Sequence, residues 1–290
     1  MDMKIGVSSY SFAAYRKATG ANYIDICNKA KEIGFEGIEF IDLICDENDS
    51  FENRMALAKE IKAHCDRIGL DIPAYTVGAN LIGEGGESTV EKLFEALEIA
   101  NVLGAGVLRH DICYKTPDGM GYKDVIAEAT PRIRRVADRA AELGIISSVE
   151  NHGRLIQAPE IVEELILAVD RPNYRWLCDV GNFLCADCEP LASCKIAAKY
   201  TVHVHAKDFL YRSGADSGKA GFGIGTLGGN FIRGTVVGHG VVPVEDCLRA
   251  LKDGGYDGYV SLEFEGPENP EYALTSGYNN LKEFIDNISK

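Results

Sequence analysis

Short apolar runs alternate with longer amphipathic segments along the chain. The runs Lys4–Tyr10, Gly37–Asp42, Asp71–Val77, Gly106–Asp111, Ile145–Glu150, Arg175–Asp179, Thr201–Lys207 and Tyr259–Glu263 read as strands. Most are continuously apolar rather than alternating, the pattern of a parallel sheet whose outer face is covered. Between them, Asn22–Ile33, Phe51–Ile68, Val90–Leu103, Pro131–Leu143, Pro159–Val169 and Val244–Lys252 carry helical periodicity, and Pro270–Ile288 closes the chain. Gly34, Gly69, Gly104 and Gly144 each follow a helical run and precede a strand, where a helix ends in a left-handed residue. Thr130–Pro131 reads as an N-cap followed by the first helical residue. Eight evenly spaced strand–helix units in one chain of 290 residues predict a single (β/α)8 TIM barrel spanning residues 1–290. No linker or shift in composition suggests a second domain. The glycine-rich stretch Leu210–Gly240 is the longest irregular segment, and following strand seven it is expected to form part of a lid over the site.

In such a barrel the chemistry sits where strands end at their C-terminal side. Strand five ends SVENHG with Glu150, strand six WLCDVGN with Asp179, strand seven TVHVHAKDF with His205, and strand eight YVSLEFEG with Glu263. Four consecutive strands therefore deliver three carboxylates and one imidazole to one rim. Each alone has a structural reading; Asp179, for instance, could cap the turn that follows it. Together they suit one divalent metal ion, manganese ahead of magnesium, cobalt or zinc, with a coordination position left for substrate oxygens. His203, one layer below His205, reads as a satisfied core histidine.

Composition narrows the partners. Thirty Lys and Arg stand against 44 Asp and Glu, a net charge of −14 that argues against nucleic acid, which proteins grip by clustering cations. Hydrophobic residues at 46% and charged residues at 26% fit a globular protein, with no run apolar enough to span a membrane. The start MDMKIGVSSYSF lacks the features of a signal peptide, so a cytoplasmic location is expected. The nine cysteines are then free thiols, and the group Cys178, Cys185, Cys188 and Cys194 lacks a partner set for zinc and reads as packing.

The VENHG, CDVGN, HVHAKD and LEFEG strand ends together resemble the xylose isomerase-like superfamily of TIM barrels, over nearly the whole chain from KIGVSSYSF onward. That superfamily holds sugar and sugar-phosphate isomerases, ketose 3-epimerases, hydroxypyruvate isomerases, inosose dehydratases and apurinic endonucleases. The resemblance implies that Glu150, Asp179, His205 and Glu263 are metal ligands. It also implies that Glu150 and Glu263 exchange protons with substrate carbons on the two sides of an enediolate, which is physically coherent general acid–base chemistry. Departures narrow the choice. Asn182 stands where many relatives carry a second histidine, and Tyr211, beside Arg212, stands where ketose 3-epimerases carry an arginine. His110 matches one ligand of the three-zinc endonucleases, but their other histidines are missing.

Around this core, His152 lies two residues past Glu150 and is the further acid–base candidate, against a plain loop histidine. His110, beside Arg109, is expected to face substrate, as are Asn182, Lys207 and Glu265, with Lys207 equally readable as a salt-bridge partner. Arg233 and His239 end the long segment. Arg233 is the candidate for an anionic group such as phosphate, and Gly238–Gly240 forms a Gly-x-Gly turn. Ser9, Tyr10 and Phe12 could floor the site or simply pack. The leading expectation is a metal-dependent sugar or sugar-phosphate isomerase or epimerase acting on a small carbohydrate. Its rival is a lyase on a keto-sugar, of the inosose dehydratase type or the catalytic subunit of a C-glycoside deglycosidase, the latter with a small β-rich partner subunit. A sugar-binding barrel without catalysis is the third. The helices after strands seven and eight offer a face for a homo-oligomer.

Overall fold

The computed structural model describes residues 3–45, 48–113, 118–215 and 221–290. Eight parallel strands close into a barrel: β1 (Lys4–Ser8), β2 (Gly37–Ile41), β3 (Ala74–Val77), β4 (Val107–His110), β5 (Ile146–Glu150), β6 (Tyr174–Asp179), β7 (Thr201–Ala206) and, after an insertion, β11 (Tyr259–Leu262). Pairing runs in chain order and closes through β1 and β11, with Val7 opposite Leu262. The strand positions read from the sequence hold to within a few residues. The first is shorter than expected, because Ser9–Phe12 turns into a 3-10 helix as Tyr10 N–H donates to Ser8 Oγ.

Helices α2 (Tyr23–Ile33), α3 (Phe51–Ile68), α4 (Gly86–Leu103), α5 (Tyr122–Glu142), α6 (Pro159–Val169), α7 (Pro190–Ala197), α8 (Val244–Asp253) and α9 (Pro270–Ile288) pack outside, with a short α1 (Ala13–Thr19) after β1. The expected helix start at Thr130–Pro131 is corrected. α5 begins a full two turns earlier, where Gly121 N–H donates to Asp124 Oδ2 at 2.8 Å, and Pro131 lies inside it on its exposed face. An apolar stripe of Val125, Ile126, Ala129, Ile133, Val136 and Ala140 is buried along the whole helix and outweighs the amide that proline lacks.

The segment after β7 is not the irregular loop that its glycines suggest. It folds as a three-stranded antiparallel sheet of β8 (Asp208–Arg212), β9 (Ile224–Gly225) and β10 (Phe231–Thr235), with Asp208 opposite Thr235 and Phe231 opposite both Arg212 and Gly225. Residues 216–220 of the expected lid lie outside the described residues. Buried Asp208 accepts hydrogen bonds from the backbone amides of Phe209, Gly238, Gly240 and Val242, so one carboxylate ties the end of the insertion to its beginning. Asp187, from the β6–α7 connection, accepts from Thr226 Oγ1 and Asn230 Nδ2 at 2.8 Å each and from Gly228 N–H, fixing the β9–β10 turn.

All nine cysteines are free thiols. Cys178 and Cys194 are buried side by side and joined by Cys247, whereas Cys185 and Cys188 are only half-buried, so the four clustered in sequence do not share one site. Among the described residues no helix is long and apolar enough to cross a membrane.

Candidate metal centre and active site

Side chains on a barrel strand alternate between the interior and the helices, so residues two apart stack in layers inside. On β7 and its extension this brings His203, His205 and Lys207 inward in ascending order. Glu150 and His152 rise from β5, Glu263 and Glu265 from β11, Arg109 and Asp111 from β4. The carboxylates of Glu150, Asp179 and Glu263 and the imidazole of His205 all come within 4.8 Å of one another, every one buried. His205 Nδ1 lies 3.7 Å from Glu150 Oε1 and 3.6 Å from Glu263 Oε2.

Two observations test whether this cluster fits a divalent ion. His205 Nδ1 and Asp179 Oδ2 are buried without a hydrogen-bond partner, although buried polar atoms are almost always satisfied. Burial raises the Asp179 carboxyl to about 7, Lys207 opposing and the charges of Glu150 and Glu263 adding to it, so three carboxylates crowd a space that lacks enough positive charge. Lys207 Nζ answers part of that demand, at 2.5 Å from Glu263 Oε2 and 3.4 Å from Asp179 Oδ2. A hard oxygen set completed by one imidazole fits Mn²⁺, Mg²⁺ or Zn²⁺.

The donors are held from behind. Asp179 Oδ1 accepts from the amides of Gly181 and Asn182 at 2.8 and 2.9 Å, so the capping role and the metal-facing role fall to its two separate oxygens. Gly181 is required here, since a Cβ would stand 2.5 Å from the Lys207 carbonyl oxygen. Glu150 Oε1 accepts from Asn182 Nδ2 at 2.9 Å and Oε2 pairs with Arg109 Nε at 2.9 Å. Arg109 reaches Asp111 Oδ1 as well, at 2.6 Å, and the same oxygen lies 3.0 Å from His152 Nδ1. Burial depresses the His152 imidazole, but Asp111 and Glu150 outweigh it and leave it raised. His152 is thus a half-exposed, readily protonated acid beside the donor cluster.

Glu39 is the residue that the strand-end reading missed. It is fully buried on β2, with Oε2 2.5 Å from His203 Nε2 and Oε1 2.6 Å from His205 Nε2. The carboxylate fixes the His205 ring with Nδ1 toward the donor cluster, the role of carboxylates behind metal-bound histidines. Its signal was present in Gly37-x-Glu39-x-Ile41, a charged residue at the inward position of an otherwise apolar strand. His203 is satisfied by Glu39 and by Ser261 Oγ at 3.1 Å.

A cavity of about 240 Å³ opens above the donors, lined by Tyr10, Asp42, Arg109, Asp111, Glu150, His152, Lys207, Glu263 and Glu265 among others. A second, of about 200 Å³, shares His152, Lys207 and Glu265 with it and continues past Asn182 and Cys185 to Ile224 and Gly225 of β9. Three residues expected to touch substrate lie elsewhere. His110 follows Arg109 directly and so points to the helix side, where it is fully buried with Nε2 3.2 Å from Ser147 Oγ. Arg233 lies with its guanidinium 5.1 Å from the Phe222 ring centroid, and His239 is exposed in the Gly-x-Gly turn; neither lines a cavity. Ser9 and Phe12 are buried in support, and of the three residues after β1 it is Tyr10 that reaches the cavity. Buried Ser11 bridges the last strand by donating to the Leu262 carbonyl and accepting from Phe264 N–H.

A closed parallel barrel with a carboxylate–histidine cluster on its C-terminal rim defines a class of possible metalloenzyme scaffolds. Comparison of sequences assigns the family: residues 27–284 match the xylose isomerase-like TIM barrel, and the chain belongs to it. It is 29% identical over 243 residues to the rhizopine catabolism protein MocC of Rhizobium meliloti, covering 76% of this chain and 72% of that one. It is 27% identical over 161 residues to an inosose dehydratase of Lacticaseibacillus casei, 53% of this chain and about half, 51%, of the relative. The crystal structure of the IOLI protein with a bound zinc atom superposes with a TM-score of 0.75 at 16% identity, covering 99% of both chains.

Proposed function

We propose that this chain is a divalent-metal-dependent enzyme that enolises a carbohydrate ketone, as a sugar isomerase or epimerase. The observation that carries the reading is the pair Glu150 and Glu263, three strands apart around the barrel, with Asp179 and His205 between them and one cavity above all four. The same four residues would hold the ion, manganese suiting the oxygen-rich set. When bound, the ion would polarise the substrate carbonyl and stabilise the negative charge of an enediolate.

The remaining work falls to side chains. Arg109 holds the Glu150 carboxylate ionised, well below the usual carboxylate range, ready to take a proton from the carbon beside the carbonyl. Glu263, on the other flank, is placed to return a proton. Return to the same carbon from the other face gives epimerisation, and return to the neighbouring carbon gives isomerisation. Lys207 contacts Glu263 and can hold a substrate oxygen in the same geometry.

A second reading, dehydration, is favoured by one feature. His152, raised by Asp111, is a proton donor aimed into the cavity from the flank of Glu150, as departure of a β-hydroxyl as water would require. The similarity to an inosose dehydratase supports it. One experiment separates the outcomes. Metal-loaded protein is incubated in D₂O with ketoses, aldoses and keto-cyclitols, and products are followed by NMR. Deuterium at the carbon beside the carbonyl with carbon skeleton and oxygens retained supports isomerase or epimerase chemistry. Loss of water with a new C=C supports the dehydratase. Neither change on any compound overturns both.

A further inference from the structure

The second cavity asks what substrate would fill it. Its roof is β9, held down at several points: Leu227 N–H donates to the Cys185 carbonyl at 3.0 Å, Arg154 Nη2 to the Gly225 carbonyl at 2.8 Å, and Asp187 anchors the turn that follows. Its floor is the β5 and β6 ends that carry Gln157, Asn182 and Cys185. The two cavities meet at His152, Lys207 and Glu265. A molecule reacting over Glu150 therefore has one polar, roofed extension for its distal atoms.

Charge decides the chemistry of those atoms. Among the described residues lining the two cavities, every lysine and arginine is already engaged: Arg109 with Glu150 and Asp111, Lys207 with Glu263, Arg154 with the Gly225 carbonyl. The acceptors are less committed. Glu265 stands at the junction, 3.7 Å from Lys207, and Asp42 faces the first cavity with only long contacts of 3.4 Å from Gly78 N–H. Arg233, the side chain that the sequence offers for a phosphate, stacks on Phe222 outside both cavities. Hydroxyl groups donate to such carboxylates; a phosphate would meet them as a like charge with no described cation left to pair it.

We infer that the substrate is an uncharged, unphosphorylated polyhydroxylated ketone whose distal hydroxyls occupy the cavity beneath β9, with Glu265 at the junction selecting hydroxyl over phosphate. The inference rests on the first cavity being the reaction site, as proposed above. It names Glu265 and Cys185 as specificity-determining positions, neither of them a member of the metal-facing cluster.

The test uses binding rather than turnover, so it stands apart from the chemistry. Titration calorimetry on Mn²⁺-loaded protein compares sorbitol, sorbitol 6-phosphate and glycerol, for the wild type, Glu265→Gln and Cys185→Phe. Sorbitol is expected to bind at least about tenfold more tightly than its phosphate, the size of one unpaired charge contact. Glu265→Gln should narrow that ratio by about tenfold, and Cys185→Phe, which projects a ring into the cavity under β9, should bring sorbitol down to the affinity of glycerol. Equal or tighter binding of the phosphate, no binding of either, or unchanged ratios in both folded variants would overturn the inference. Deuterium exchange without this binding pattern would sink the substrate class alone, and this pattern without exchange or dehydration would sink the enolisation reading alone.

Discussion

Glu39→Gln is the substitution whose consequences follow most directly from the geometry. The carboxylate is fully buried and its two oxygens are divided between two histidines, 2.5 Å from His203 Nε2 and 2.6 Å from His205 Nε2. The imidazoles hold it far below the usual carboxylate range against a large burial penalty, so it is an acceptor at both oxygens. Glutamine has one acceptor oxygen and one amide that can only donate. One histidine must therefore turn its Nε2 into an acceptor and carry its proton on Nδ1. If that is His205, the nitrogen facing Glu150 and Glu263 loses its lone pair and cannot ligate. Loss of a carboxylate behind a metal-bound histidine typically costs about 10- to 100-fold in metal affinity, about 1.4–2.7 kcal/mol. A further ~1–3 kcal/mol of folding stability is expected to go with the unsatisfied buried group. Titration calorimetry with Mn²⁺ and Zn²⁺, beside urea unfolding of the metal-free protein, measures both. A folded Glu39→Gln variant that binds metal as the wild type does would refute the reasoning.

Two further predictions concern protons. Asp111→Asn removes the acceptor that raises His152, so the imidazole loses its proton at a lower pH; if His152 acts as an acid, the alkaline limb of the kcat/KM profile moves to lower pH, and an unmoved limb would remove His152 from that role. His110 is depressed to about 4, by burial first and then by Arg109, although Asp111 opposes both. Its folded value lies below its ordinary value of about 6.5, so the unfolded chain binds more protons in between; its contribution is whole above about pH 6.5 and lost as pH falls toward 4, by about 3 kcal/mol. Urea unfolding at stepped pH should show that dependence flattened in His110→Gln, and identical slopes would contradict it.

The barrel was legible because its signals are local and repeated: apolar strand runs, amphipathic helices and glycine stops recur eight times, and the sheet closes in chain order. The donor cluster was legible for the same reason, since Glu150, Asp179, His205 and Glu263 each end a strand. What was misread depended on facing. Adjacent residues on a strand point to opposite sides, so Arg109 entering the barrel sends His110 out of it, while Asp111, two along, returns to the cavity. The same alternation would have found Glu39. Pro131 misled because a proline marks a helix start only when the apolar stripe begins there, and here the stripe begins near Val125. The insertion was hidden by composition. Its glycines suggest irregular chain, while its strands are held by Asp208 and Asp187, two carboxylates whose partners lie up to 43 residues away. Arg233 was drawn to the site by its charge and kept from it by the register of β10.

The central claim is that Glu150, Asp179, His205 and Glu263 form one divalent-metal site. Its most direct test is the stoichiometry and affinity of Mn²⁺ binding to metal-stripped protein, by calorimetry and electron paramagnetic resonance, for the wild type and for Asp179→Asn and His205→Gln. The account predicts one tight site per chain, with each substitution weakening it by at least about tenfold in a folded protein. No stoichiometric binding by the wild type, or binding untouched by both substitutions, would contradict it.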